Sequence, residues 1–239
     1  MKIGLIGYGK MGKAIEEIAL TRGHEIVFKI TDENKNELVD LISKADVAIE
    51  FTSPESAIDN LKIAMNANVP VVCGSTGWAA QLPVMIDYAK QKNAAFIYAS
   101  NFSLGVNIFF KLNKILASIM HNFKEYSVEM EEIHHTQKKD APSGTAITLA
   151  EDLISNYESL TEWCLTEEKK TEYSLPITAK RLENVTGTHI VEYKSAIDSI
   201  SIKHEAFNRS GFALGALLAA EWLPGKKGFF TMSDVLNLK

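Results

Sequence analysis

Cysteine is scarce: Cys73 and Cys164 are the only two in 239 residues, far apart and in unlike contexts. So few give no disulfide framework, and this usage fits a reducing cytoplasm. Long apolar runs are missing too, so no stretch reaches the length of a membrane span. Residues 1–7 are too short and too broken by glycine for a signal peptide, which again makes the cytoplasm the expected location. Positive charge is in deficit, with 25 Lys and Arg against 30 Asp and Glu, a net charge of −5. Without a basic face, neither nucleic acid nor a membrane surface is an expected partner. Internal repeats and low-complexity tracts are also absent. At 46% hydrophobic and 23% charged, the composition is that of a soluble globular protein, long enough for one large domain or two modest ones.

The first hundred residues alternate short apolar runs with helical patterns. Lys2–Ile6, Glu25–Ile30, 46–51, 69–73 and 95–99 read as strands. Met11, Ala14, Ile15, Ile18 and Ala19 follow the spacing of a one-sided helix, as do Ile58, Leu61, Ala64 and Met65, and then Leu82, Met85, Ile86 and Ala89. Ser53-Pro54-Glu55 has the N-cap and first-position proline of a helix start. Strands separated by helix-length segments predict parallel βαβ units in a doubly wound sheet.

The pattern changes near Gly105. A long helix is predicted over 106–120, with Ile108, Leu112, Ile115, Leu116 and Ile119 on its inner side. From Ser127 onward the strands alternate, at 128–131, 189–193 and 199–204, as in a mixed or antiparallel sheet with one face covered. Residues 212–223 form a last apolar, alanine-rich helix. The expected organisation is α/β: a dinucleotide-type domain over 1–104, completed by 210–239, and a second α+β domain on a mixed sheet over 105–209.

Gly7-Tyr8-Gly9-Lys10-Met11-Gly12 matches G-x-G-x-x-G, follows a strand and opens an amphipathic helix. In that context Gly7 permits the tight turn, Gly9 lets a pyrophosphate reach the backbone, and Gly12 lets the helix sit close to the sheet. Helix-end N–H groups and the helix dipole favour phosphate there. A glycine-rich turn that binds nothing is the plainer alternative. Asp32 stands where an acid would hold the adenosine ribose hydroxyls, or it is an ordinary turn residue. No arginine follows it and Lys35 is the nearest cation, so NADH is favoured over NADPH. Three more segments end strands on the same edge: 51–54, 73–77 with Gly74-Ser75-Thr76, and 99–107 with Ala99-Ser100-Asn101-Phe102. Their glycines and small hydroxyls suit contact with a nicotinamide ribose and carboxamide.

The densest chemistry lies in His134-His135-Thr136-Gln137-Lys138-Lys139-Asp140-Ala141-Pro142-Ser143-Gly144-Thr145. Two imidazoles, two ammonium groups and a Ser-Gly-Thr turn precede a helix carrying Ile147, Ala150 and Ile154. Histidine titrates near neutrality and suits proton donation. The N–H groups of Ser143, Gly144 and Thr145 offer a carboxylate site at the helix start. Neighbouring histidines on a strand point to opposite faces, so only one would face a given ligand. Lys138 and Lys139 taken alone read as a solvated pair, and no recognised ligand spacing supports a metal at Glu131, Glu132, His134 and His135.

Taken in order, the loop 7–12, Phe51-Thr52, Cys73-Gly74-Ser75-Thr76-Gly77, residues 101–107, the 134–145 segment and Phe212-Ala213-Leu214-Gly215-Ala216 resemble the dihydrodipicolinate reductase family nearly end to end. The resemblance implies a Rossmann-type domain joined to a substrate and tetramerisation domain on a mixed sheet. It implies NAD(P)H-dependent reduction of a small cyclic imine dicarboxylate, 4-hydroxy-tetrahydrodipicolinate, with loss of water, in lysine biosynthesis through diaminopimelate. It makes His134 the proton donor and Lys138 a second catalytic group, with His135, Gly144 and Thr145 binding substrate. Residues 7–12, 74–76 and 99–102 become cofactor segments, and a homotetramer is expected. The family's acid-arginine pair after the second strand is absent, and Thr136-Gln137 replaces an arginine-rich stretch; Arg181, Gly187 and His189 are kept. Two rival readings are a related amino-acid dehydrogenase acting on aspartate and an inactive NAD sensor. A sensor has no use for a proton donor.

Overall fold

In a computed structural model describing residues 1–168, 171–208 and 210–238, the chain forms two units, Met1–Leu104 with Ser210–Lys239, and Gly105–Arg209. Arg209 and Lys239, expected from the sequence in the second and first unit, lie outside the described residues.

The first unit alternates β1 (Lys2–Ile6), α1 (Lys10–Thr21), β2 (Glu25–Ile30), a one-turn α2 (Leu38–Leu41), β3 (Val47–Glu50), α3 (Pro54–Asn66), β4 (Val71–Cys73), α4 (Leu82–Lys92) and β5 (Ala95–Tyr98). β3 and β4 are buried at every position, as strands covered on both faces must be, and apart from Glu50 at the end of β3 their residues are apolar. α5 (Leu104–Met120) leads into the second unit, made of β6 (Ser127–His134), α6 (Gly144–Ile154), β7 (Glu162–Leu165), β8 (Ser174–Arg181), β9 (Gly187–Lys194) and β10 (Ser199–Ala206). The chain then returns to the first unit with α7 (Ser210–Trp222), β11 (Gly228–Phe230) and α8 (Met232–Val235). The small side chains of Ala213, Ala216, Ala219 and Ala220 are fully buried and let α7 press against α1.

The first sheet runs β11-β5-β4-β3-β1-β2, with every pair parallel. β1 lies between β2 and β3, and the chain order reverses at that point. Ile6 pairs with Ile30 on one side and with Glu50 on the other, so the loops after β1, β2 and β3 leave the sheet together. This is the switch-point edge at which doubly wound sheets bind ligands. β11, a three-residue Gly-Phe-Phe edge, carries too little pattern to be read from sequence.

The second sheet is mixed, in the order β10-β9-β6-β8-β7, with central β6 antiparallel to β9 and parallel to β8. Met130, Glu132 and His134 lie on one face of β6 and are all buried, while the residues between them are partly exposed. α6 packs over β6 and β8, and its Ala146, Leu149, Ala150 and Leu153 share a core with Phe109, Ala117 and Met120 of α5.

The orientation of α5 corrects the expectation from its pattern. Ile108, Leu112, Ile115 and Ile119, assigned to the inner side, are 44–51% exposed, and only Leu116 of that set packs on the core. The buried stripe is Val106, Phe109, Asn113, Ala117 and Met120. Asn113 is admitted because its side-chain amide donates to the Leu149 carbonyl at 3.1 Å, and Ala117 because a small residue lets the helix come close. A polar and a small residue on the inner face disguised it, while the more apolar stripe faces outward.

Candidate active site

The cofactor side is built at the carboxyl edge of the first sheet. Gly7 has φ +94°, and a side chain there would lie 2.0 Å from the Phe51 carbonyl oxygen, so the tight turn is open only to glycine. A side chain at Gly12 would lie 2.4 Å from the Gly7 carbonyl oxygen, so the first turn of α1 packs directly on the loop. Gly9, the α1 N-cap, makes no side-chain cap and faces open space. The loop that leads into this twelve-residue helix lines a cavity of about 670 Å³ with Gly7, Tyr8, Gly9, Asp32, Lys35 and Thr52, and Glu55 and Asp59 are among the other walls. These residues fit a dinucleotide pyrophosphate with its ribose. Tyr8 is fixed by a hydrogen bond to Glu16 and by the Lys29 ammonium 4.6 Å from its ring centre.

Beside it lies a smaller cavity of about 310 Å³, lined by Met11, Phe51, Thr52, Pro54, Gly74, Ser75 and Thr76. Lys10 is exposed on the first turn of α1 and lines neither cavity, as is true of Ala99, Ser100, Asn101 and Phe102. Phe102 is buried in the core, 5.7 Å from the Phe51 ring, and Asn101 accepts from the Ser103 N–H at 2.9 Å. The Ser75 hydroxyl also turns inward. It donates to Glu50 at 3.0 Å and accepts from the Thr52 N–H at 2.7 Å. Glu50 is fully buried and takes hydrogen bonds from the Thr52 N–H, the Thr52 hydroxyl and the Cys73 thiol as well. Burial, then the Glu50 charge, pushes the Cys73 thiol far up. Glu50 thus ties two strand-end loops together. Its one signal in the sequence was an acid closing an apolar strand.

The second unit gathers the other predicted residues at the end of β6. His134 is the last residue of the strand and is buried; His135 lies beyond it and is half-buried. The Lys138 N–H donates to the His135 carbonyl at 3.1 Å, closing a turn, and the Lys138 ammonium pairs with both carboxylate oxygens of exposed Asp140, at 3.0 and 2.9 Å. Ser143 caps α6, its hydroxyl accepting from the Ala146 N–H at 3.2 Å. A side chain at Gly144 would meet open space.

The Ser143 N–H, expected to help hold a substrate carboxylate, already holds an internal one: it donates to Glu132 at 2.9 Å. Glu132 is fully buried, and its other oxygen pairs with Arg181 at 3.1 Å. His134 Nδ1 lies 3.6 Å and His189 Nε2 3.8 Å from the same Glu132 oxygen that takes the Ser143 N–H. His189 is hydrogen-bonded to the Ser143 hydroxyl at 3.0 Å and meets the His134 ring edge-on at 5.1 Å. The donor atoms of Glu132, His134 and His189 lie within 4.8 Å of one another, near enough to share a cation, although the Arg181 guanidinium already balances the carboxylate. Glu131 and His135 are not in that group.

Burial dominates the electrostatics here. It lowers the pKa of His134; Glu132 acts the other way, and Lys138 and Arg181 reinforce the drop. His189 is pushed down to about 3, by burial first and then by His134, His204 and Lys138. Sequence reasoning recognised the histidines and Lys138 but gave Glu132 no role. Strand periodicity was its signal, since a residue two before His134 shares its face.

Comparison with known proteins covers the whole chain. Residues 1–102 match the family model described as dihydrodipicolinate reductase, N-terminus, and residues 105–236 the one described as dihydrodipicolinate reductase, C-terminus. A 4-hydroxy-tetrahydrodipicolinate reductase of Christiangramia forsetii is 51% identical over 99% of this chain and 98% of its own. One from Methanosarcina barkeri is 38% identical over 88% and 80%. A dipicolinate-bound dihydrodipicolinate reductase from Paenisporosarcina sp. TG-14 shares the fold, with a TM-score of 0.79 at 22% identity over 97% of each chain.

Proposed function

The chain belongs to the dihydrodipicolinate reductase family, and on that premise we propose that it reduces 4-hydroxy-tetrahydrodipicolinate to tetrahydrodipicolinate, with His134 donating the proton. The overall change is loss of water and addition of a hydride and a proton, a step of lysine biosynthesis through diaminopimelate. The observation that carries the role of His134 is its place: a buried imidazole at a strand end, one short loop from an ammonium group and a helix start.

A pyridine nucleotide, when bound, supplies the hydride. Gly7, Tyr8, Gly9, Lys10, Met11 and Gly12 form the loop and helix start that receive its phosphates, and Asp32 meets the ribose hydroxyls. The backbone of Gly74-Ser75-Thr76 and of Ala99-Ser100-Asn101-Phe102 serves the nicotinamide side. The first cavity carries the acids Asp32, Glu55 and Asp59 against Lys35, which supports NADH, because a 2′-phosphate would meet repulsion.

Adding a hydride to the unsaturated ring carbon leaves an enamine whose neighbouring carbon needs a proton, and His134 gives it. A substrate carboxylate beside the ring restores the charged, donating form that burial disfavours. Lys138 pairs with that carboxylate in exchange for Asp140, an exposed partner held only at the surface. His135 and the backbone of Gly144 and Thr145 hold the second carboxylate. Four copies assemble, a reading supported by the outward apolar stripe of α5, and the enzyme works in the cytoplasm, in keeping with two buried, unpaired cysteines. No helix among the described residues is long and apolar enough to cross a membrane.

The test is loss of reduced cofactor that depends on freshly formed condensation product of pyruvate and aspartate semialdehyde, run with NADH and with NADPH. Turnover with a higher kcat/KM for NADH is expected. A large NADPH preference overturns the cofactor assignment, and no turnover with either overturns the reaction.

A further inference from the structure

We propose that Glu132 is a positioning residue of this site, whose buried carboxylate fixes the His134 ring, the Lys138–Asp140 loop and the Ser143 turn in one geometry. The proposal rests on His134 being the proton donor and adds what holds it in place.

The three functional pieces follow one another within residues 134–143, and each meets Glu132 directly or through one partner. One carboxylate oxygen takes the Ser143 N–H at 2.9 Å and lies 3.6 Å from His134 Nδ1. The other takes the Arg181 guanidinium at 3.1 Å. Arg181 in turn donates to the Lys138 carbonyl at 3.3 Å and to the Asp140 carbonyl at 2.6 Å, clamping the loop that carries the ammonium group. The Ser143 hydroxyl meets His189, whose ring supports His134 edge-on. The carboxylate lies at the N-terminus of an eleven-residue helix and takes hydrogen bonds from the Ser143 N–H there and from a guanidinium.

The arrangement also distinguishes the two nitrogens of His134. Nδ1 is buried, with no hydrogen-bond partner among the described residues, and lies 3.6 Å from the Glu132 carboxylate. Nε2 lies on the side of Gly187, where a side chain would come within 3.2 Å of it. At 3.6 Å the Glu132 charge favours a proton on Nδ1 of the neutral ring electrostatically, without a hydrogen bond, which leaves Nε2 to give and regain the transferred proton. Gly187 keeps the space at that nitrogen clear.

Charged groups reach His134 from β6 (Glu132), the following loop (Lys138 and Asp140) and β8 (Arg181), while β9 contributes the titratable ring of His189. Burial, Lys138 and Arg181 disfavour the imidazolium, while Glu132 and Asp140 favour it. His189 is neutral through the working range. Without the Glu132 charge, the limb of activity that needs a protonated donor must move to lower pH.

Glu132→Gln keeps the shape and an oxygen for Ser143 but loses the charge. The expected result is a fall in kcat of roughly 10- to 100-fold, part of what a general acid supplies. The falling alkaline limb of kcat/KM should shift at least about one pH unit downward, with the Kd for NADH within about two-fold of wild type. Should that variant fold poorly, Glu132→Gln with Arg181→Gln removes both charges together and should show the same fall in kcat with a smaller downward shift of the limb, because Arg181 opposes Glu132 at His134. A folded variant of either kind with wild-type kcat and an unmoved pH profile overturns the proposal. His134→Gln separates this from the underlying reading. If His134→Gln turns over normally, His134 is not the donor. If it is inactive while Glu132→Gln is unaltered, only the positioning role fails. Adding Glu132→Gln to His134→Gln should slow turnover no further, since the two act as one unit.

Discussion

His134 and His189 are packed against each other, and burial lowers the proton affinity of both. For His189 the cost of charging shows as a stability effect. Its pKa is about 3 in the folded protein, against about 6.5 in an unfolded chain. Between those values the unfolded chain binds a proton that the folded one refuses, so stability is lost as pH falls from about 6.5 towards 3. From pH 6.5 to 5 this group alone costs about 2 kcal/mol. Urea unfolding at stepped pH should show that slope in the wild type and a flatter one in His189→Gln. Equal slopes would mean that His189 titrates normally. A normal histidine would leave the wall beside His134 charged at mildly acidic pH, and Glu132 would then serve two imidazolium groups instead of one.

Among the elements, β6 and α5 show what a linear pattern reveals and what it hides. Alternation along 128–131 gave a half-covered strand, and the same period puts Glu132 on the face of His134. Yet the role of Glu132 depends on Arg181 from β8 and on Ser143 ahead of α6, pairings that only the mixed sheet creates. The glycine loop was readable because Gly7 and Gly12 answer local steric demands, whereas the Phe102 side chain lies in the core and leaves only its backbone for a cofactor. In α5 the apolar spacing was real, but a stripe alone does not say which face meets the core. Phe109→Ala should therefore cost about 3–5 kcal/mol in urea unfolding, as truncation of a buried aromatic does. Leu112→Glu with Ile115→Glu should leave the far-ultraviolet circular dichroism intact but lower the particle mass in light scattering from that of four chains. Unfolding by the double variant, or a mild effect of Phe109→Ala, would reverse the assignment of the two faces.

At the scale of the whole molecule, one unit is a doubly wound parallel sheet with a glycine loop at its switch point. The other is a mixed sheet whose central strand ends in His134, the proposed proton donor. Family models match both, and a relative 51% identical covers 99% of the chain, so the family extends over both units. Neither unit suffices for the proposed reaction, since one supplies no proton and the other no hydride. The central claim is that His134 provides the proton for a reduction that the nucleotide begins. The direct measurement is steady-state reduction of the pyruvate–aspartate semialdehyde condensation product by wild type and by His134→Gln, with NADH binding measured on both. The predicted result is a kcat lowered on the order of 10²- to 10⁴-fold with an unchanged Kd for NADH; a His134→Gln kcat within a few-fold of wild type would contradict it.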